Sequence, residues 1–210
     1  MSESKATEFW DSRYLAGQIP WDFGGVPDAV TRFLASENAP LSVLIPGCGL
    51  AHEVETFSRL GWNVIAIDFS SVAVAAAQKR LGPLANRVVE GDFFTHNFLD
   101  SKFDLVYERT FLCALPPRLR SAYARRVAEL LKPEGRLIGF FYCDEVDDPD
   151  GPPFAIIPKE LELLLKPYFR LVVDESVGDC QPLFAGKERW QIWKRNGVQH
   201  RGALLATPDQ

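Results

Sequence analysis

The chain has 210 residues, 47% hydrophobic and 24% charged, with 15 glycines, 15 prolines and 4 cysteines. This balance excludes disorder, a collagen repeat and a disulfide scaffold, and the length suits one domain that buries about 70% of its unfolded surface. A net charge of −5 argues against nucleic acid and anionic membrane as partners, because counterion release needs a basic surface.

Residues 1–5 are not followed by the apolar core of a secretory leader, and no apolar run approaches the ~18 residues of a membrane span. The expectation is a soluble, cytoplasmic protein. Residues 41–45 read as a buried strand ending at Pro46-Gly47, and 51–60 as a helix stopped by Gly61. A second buried strand is expected at 64–67. Ser70 is a plausible N-cap for an Ala-rich helix over 72–81, which Gly82-Pro83 ends. A short strand follows at 87–90 and another at 103–107. Then come a long helix over 117–131, a turn at Lys132-Pro133-Glu134-Gly135 and a strand over 136–142. The chain closes with a helix at 158–166 and strands at 169–173 and 189–194. Near-continuous apolar strands alternating with helices predict a parallel sheet covered on both faces. The loop between the last two strands is too short for a crossover helix, so they should pair as a hairpin and place one antiparallel strand in the sheet. The fold class is therefore α/β, a Rossmann-like seven-stranded mostly parallel sheet with an antiparallel last strand. One domain should span 1–195, with a tail at 196–210.

Gly47-Cys48-Gly49 forms a glycine turn directly after a buried strand and before a helix. Such glycines let backbone approach a ligand without a Cβ in the way. A dinucleotide fingerprint would put a third glycine at position 52, where this chain has His52; its absence argues for a ligand without a pyrophosphate. Nineteen residues past Gly49 stands Asp68, placed to accept from both ribose hydroxyls of a nucleoside. Asp92 and Phe93 follow the third strand, where they could take an exocyclic amine and cover a base. Three successive strand ends thus suit a nucleoside, and S-adenosylmethionine (SAM), with no phosphate, fits better than NAD.

With these residues in view, the chain resembles class I SAM-dependent methyltransferases of the thiopurine S-methyltransferase and halide/thiol methyltransferase family. The likeness runs over roughly residues 9–195. It is carried by Phe9-Trp10, Pro20-Trp21-Asp22, Ile45-Pro46-Gly47-Cys48-Gly49, Ile67-Asp68-Phe69-Ser70, Gly91-Asp92-Phe93-Phe94, the stretch from Phe103 to Leu115, Gly151-Pro152-Pro153-Phe154, and Trp190 with Trp193. The resemblance implies that Trp10 and Trp21 line the SAM site, with Gly47 near its methionine part and Gly49 beside it. It implies further that Asp68 holds the ribose, that Asp92 and Phe93 hold the adenine, and that residues 1–40 fold over the cofactor as a lid. Arg109 falls where thiopurine methyltransferases carry an arginine near cofactor and substrate. Pro20-Trp21-Asp22 instead looks like the halide/thiol members, which have Tyr in place of Arg109 and Trp in place of Tyr14. Phe111, Pro152, Pro153 and Phe154 would form the substrate pocket.

Methyl transfer from a sulfonium has a neutral leaving group, so such an enzyme mostly positions and desolvates. A soft nucleophile such as a thiolate needs no strong base. Arg109, expected at the sheet's carboxyl edge, could favour such an anion there as the catalytic residue. His52 and His96 sit in no catalytic pattern and read as structural or solvated. Cys113, in an apolar stretch, reads as inert pocket lining. The four cysteines and three histidines show no zinc spacing, and the acids among 144–150 no calcium spacing, so no metal is expected. The expected activity is methylation of a small thiol or heterocyclic thiol by a monomer, with a halide or a tellurium or selenium anion as the alternative acceptor. An NAD-dependent oxidoreductase and a non-catalytic cofactor-binding module are the rival readings; the absence of a Tyr-x-x-x-Lys pair at Tyr123 weighs against the first.

Overall fold

A computed structural model describes residues 3–99, 101–145 and 151–197. Its helices are α1 (Glu3–Leu15), α2 (Asp28–Ser36), α3 (His52–Arg59), α4 (Ser71–Leu81), α5 (Arg120–Leu130) and α6 (Pro158–Leu165). Its strands are β1 (Ser42–Pro46), β2 (Asn63–Asp68), β3 (Val88–Glu90), β4 (Phe103–Arg109), β5 (Leu131–Tyr142), β6 (Phe169–Ser176) and β7 (Glu188–Arg195). They form a seven-stranded sheet in the order β3-β2-β1-β4-β5-β7-β6. The first five strands in that order run parallel, and β7 is antiparallel to both β5 and β6. The expected hairpin thus forms, and β7 lies inside the sheet while β6 becomes the edge. Among the described residues no helix is long and apolar enough to cross a membrane.

Side chains alternate across the strands, so each face of the sheet has its own core. Leu44, Val106 and Leu137 pack with Tyr123, Val127, Leu161 and Leu165 of α5 and α6 on one face. Val43, Ile45, Leu105 and Ile138 pack with Val30, Phe33, Val54 and Phe57 of α2 and α3 on the other. Ser70 caps α4 as expected, its hydroxyl accepting the Ala73 N–H at 3.1 Å.

Three elements differ from expectation. The helix expected over 117–131 opens as a 3-10 turn at Pro117–Leu119 and becomes α-helical only from Arg120. The 132–135 turn lies inside β5: Leu131 pairs with Phe103, and pairing then resumes at Arg136 opposite Leu105. The four residues between bulge out, with Glu134 at φ 62° and Lys132 Nζ on the Asp104 carboxylate at 2.8 and 2.9 Å. Finally, α1 and α2 occupy the N-terminal segment, where sequence patterning assigned no element. The sheet order reverses between β1 and β4, so the crevice beyond their carboxyl ends is where an open α/β sheet offers a ligand site.

Candidate active site

A cleft occupies that crevice, and it has three connected parts. The β3-side lobe is bounded by Asp68, Gly91, Asp92, Phe93 and Phe94. A second lobe, here the proline lobe, is walled by Trp21, Cys113, Pro152, Pro153, Leu183 and Phe184. Trp10, Gly47, Asp68, Phe69 and Phe111 border both lobes, so the two meet at a throat above the glycine turn. Behind the turn lies a small polar chamber lined by Asp22, His52, Glu53, Tyr107 and Arg109.

The throat depends on its glycines. Gly47 and Gly49 have φ of 58° and 51°, the left-handed region where a side chain is strained. A Cβ on Gly47 would collide with the Phe111 ring, and one on Gly49 would stand 2.6 Å from the Tyr14 hydroxyl. Asp68 ends β2 almost fully buried, and burial pushes its carboxyl up. Its Oδ2 accepts the Gly49 N–H and its Oδ1 the Ser70 N–H, both at 2.9 Å. Each oxygen keeps a second lone pair for a ligand hydroxyl. Asp92 likewise turns its carboxylate onto its own loop, taking the Phe94 N–H and the Thr95 hydroxyl at 3.0 Å each. Phe93 is 3% exposed and packs on Phe111 with ring centroids 5.4 Å apart, so Phe94 borders the lobe beside it.

α1 lies over the cleft. Its Phe9, Trp10 and Tyr14 face the lobes, and Trp10 meets Trp21 edge to face at 5.2 Å. Asp11 holds the helix down by accepting from the Ser70 hydroxyl at 2.5 Å. Pro153 lines the proline lobe, and Pro152 and Phe111 border both lobes. Phe154, expected beside the prolines, lines the β3-side lobe instead.

Arg109 ends β4 in the polar chamber rather than in either lobe. Its guanidinium lies between the Phe23 and Phe140 rings, 4.8 and 4.6 Å from their centroids. All three of its side-chain nitrogens are buried and, among the described residues, none makes a well-aligned hydrogen bond, although the guanidinium lies close enough to Tyr107 to act on its hydroxyl. Arg109 does not pair with the adjacent Glu108, since neighbours on a strand point to opposite faces. Glu108 instead accepts the Phe111 and Leu112 N–H groups, each at 2.9 Å, and the Tyr123 hydroxyl at 2.7 Å. Around Arg109 stand Glu53 and Glu188, both pushed up by burial and both eased by its charge. Tyr107 donates to Glu53 at 3.0 Å. His52 Nε2 is 3.0 Å from Asp22 Oδ1; burial works against the Asp22 charge, but that contact, the Gly24 N–H and Arg109 together hold its carboxyl low.

His52 is therefore tied into the chamber, and His96 packs on Phe98 away from it, ring centroids 4.7 Å apart. Burial pushes the Cys113 thiol well up, which leaves it an inert wall. Of the acidic run, Asp144 pairs with Lys187 at 2.6 Å, while Asp147, Asp148 and Asp150 lie outside the described residues, as does the tail from 198. Among the described residues no group of His, Cys, Asp and Glu could hold a metal. Glu53, Tyr107, Tyr14, Leu183 and Phe184 went unassigned from sequence. For Glu53 a signal existed: an acid on the core-facing side of a helix opening directly behind a glycine turn.

The sheet order, the glycine turn and the acids at successive strand ends define a class I SAM-dependent methyltransferase fold. In agreement, the 1,6-didemethyltoxoflavin-N1-methyltransferase of Burkholderia thailandensis, solved with S-adenosylhomocysteine, superposes with a TM-score of 0.72 at 21% identity, covering 90% of this chain and 87% of that one. The profile of the thiopurine S-methyltransferase family matches residues 5–196, and the chain belongs to that family. It is 31% identical to a probable thiol methyltransferase 2 of Arabidopsis thaliana, over 91% of this chain and 86% of the relative. It is 30% identical to a thiopurine S-methyltransferase of Vibrio campbellii, over 77% and 82%. The protein is thus a SAM-dependent methyltransferase, and the oxidoreductase and non-catalytic readings are set aside.

Proposed function

We propose that this chain methylates the sulfur of a small thiol or heterocyclic thiol, with the proline lobe receiving the acceptor. The observation that carries this reading is one continuous cleft: acids at its β3 side, a glycine throat, and beyond the throat walls that are mostly aromatic, aliphatic, proline or thiol. The names of its relatives, a thiol and a thiopurine methyltransferase, point the same way.

The residues present fit SAM. The buried guanidinium of Arg109 has no well-aligned hydrogen bond among the described residues, and a carboxylate entering the chamber would satisfy it; Glu53 beside it suits an ammonium. In this reading Arg109 and Glu53 grip the amino-acid end, Gly47 and Gly49 pass beneath it, Asp68 takes the ribose, and Asp92 and Phe93 border the base. SAM supplies an electrophilic sulfonium methyl. Trp10 and Trp21 present aromatic faces and edges to that cation and exclude water from it. Among the described residues the proline lobe holds no histidine, lysine or glutamate, so the reading requires an acceptor that enters as its anion and reacts without a general base. Aryl and heterocyclic thiols, which ionise near neutral pH, meet that condition. The catalytic unit is read as residues 1–195 acting as a cytoplasmic monomer; of the expected 1–40 lid, α1 and the segment through Trp21 line the cleft, whereas α2 belongs to the core.

Turnover of SAM against thiopurine, aryl thiol, hydrogen sulfide, iodide and tellurite tests this. The aryl and heterocyclic thiols should be methylated with the highest kcat/KM. Preference for iodide or tellurite would overturn the reading.

A further inference from the structure

We infer that Arg13 selects acceptors bearing an anionic group away from the reacting sulfur, such as a carboxylated thiol. This rests on the reading of the proline lobe as the acceptor site. Arg13 stands on α1 one turn beyond Phe9 and Trp10, and lines the proline lobe but neither of the other two parts. Its guanidinium lies on the Phe9 ring, 4.9 Å from the centroid, which fixes where its charge sits.

The rest of the lobe leaves that charge uncompensated. Among the described residues Arg13 has no ion pair and no side-chain hydrogen bond. Among the described residues the other ionic side chain along the lobe is Asp68, in the shared throat, whose oxygens already take the Gly49 and Ser70 N–H groups. The remaining described walls are apolar or uncharged. A lone cation on an apolar wall attracts an anion more strongly than one in open water, and a guanidinium engages a carboxylate through two parallel hydrogen bonds. Methyl transfer from a sulfonium to a thiolate itself calls for no cation in this lobe. The arrangement therefore acts on which thiols enter, through their substituents.

The test compares kcat/KM for 3-mercaptobenzoate and thiophenol in the full-length chain with SAM, in wild type, Arg13→Gln and Arg13→Lys. The ratio favouring the carboxylate should fall about five- to tenfold in Arg13→Gln, as expected for losing one partly exposed charge-assisted contact, and be largely kept in Arg13→Lys. In wild type the ratio should also shrink as sodium chloride is raised, because a partly exposed pair is screened; this readout needs no variant to fold. Turnover of both thiols with equal ratios in wild type and Arg13→Gln, or a ratio indifferent to salt, overturns the inference alone. Failure of wild type to methylate either thiol overturns the acceptor reading and this inference with it.

Discussion

Glu108 and Arg109 are adjacent on β4, and the pleat sends them to opposite tasks. Arg109 is a buried cation surrounded by carboxylates yet bonded to none. Such a group is costly unless a ligand completes it. Replacement by Met, which keeps the bulk between Phe23 and Phe140, should weaken SAM binding by about ten- to hundredfold, the worth of a charged hydrogen-bonding partner. Calorimetric titration with SAM reads this directly; unchanged affinity would remove Arg109 from the cofactor site. Glu108 is 1% exposed, and burial pushes its carboxyl from the ordinary 4.5 up to about 7. A raised native pKa means that between those values the folded chain holds a proton that the unfolded chain has released. Stability from this group is full below pH 4.5 and is lost as pH rises to about 7, by at most about 3 kcal/mol. Glu108→Gln keeps an oxygen for the Phe111 and Leu112 N–H groups but cannot titrate. The difference in Tm between wild type and Glu108→Gln should therefore drift against wild type from pH 5 to 7.5. A constant difference would show that Glu108 is ionised throughout.

At the scale of elements, what packs into the core was legible and what packs onto the cleft was not. β1, β2 and β4 announce themselves as short apolar runs because both their faces are covered. α1 has no fully buried side chain; its aromatics face a cavity rather than a core, so no apolar stripe marks it as a helix. The site divides the same way. Gly47, Gly49 and Asp68 could be read because each answers to a backbone position at a strand end. Leu183 and Phe184 could not, because they reach the lobe from the loop before β7 by tertiary folding alone. Ser70 joins the two kinds of element, capping α4 and tethering α1 through Asp11. Ser70→Ala should cost about 1–2 kcal/mol, a lost cap together with a lost tether. Asp11→Ala, which spares the cap, should cost less stability while raising the Kd for SAM. Thermal unfolding of both variants with and without SAM separates the effects; equal loss in both would place the stabilisation in the tether rather than the cap.

Across the whole molecule, the two cores are built from the sheet, α2 through α6 and the loops between them, and none of the described side chains of α1 enters either. What α1 contributes is a wall: Phe9, Trp10, Arg13 and Tyr14 over the throat and lobes, held by aromatic contacts and the Asp11–Ser70 hydrogen bond. Folding and ligand enclosure are thus carried by separate parts of one chain. Removing residues 1–15 should leave a cooperatively unfolding protein, since it takes away no apolar side chain that is buried among the described residues. It should also abolish the stabilisation that SAM gives by binding only the folded state. For the full chain, SAM at a hundred times its Kd adds about 2.7 kcal/mol, a rise in Tm of about 5–10 °C for a domain of this size. The truncated chain should unfold within a few degrees of the ligand-free full chain and show almost none of that rise. Retention of the full rise would mean that the strand-end acids and the chamber hold SAM without the wall; loss of cooperative unfolding would mean that α1 is part of the fold rather than its cover.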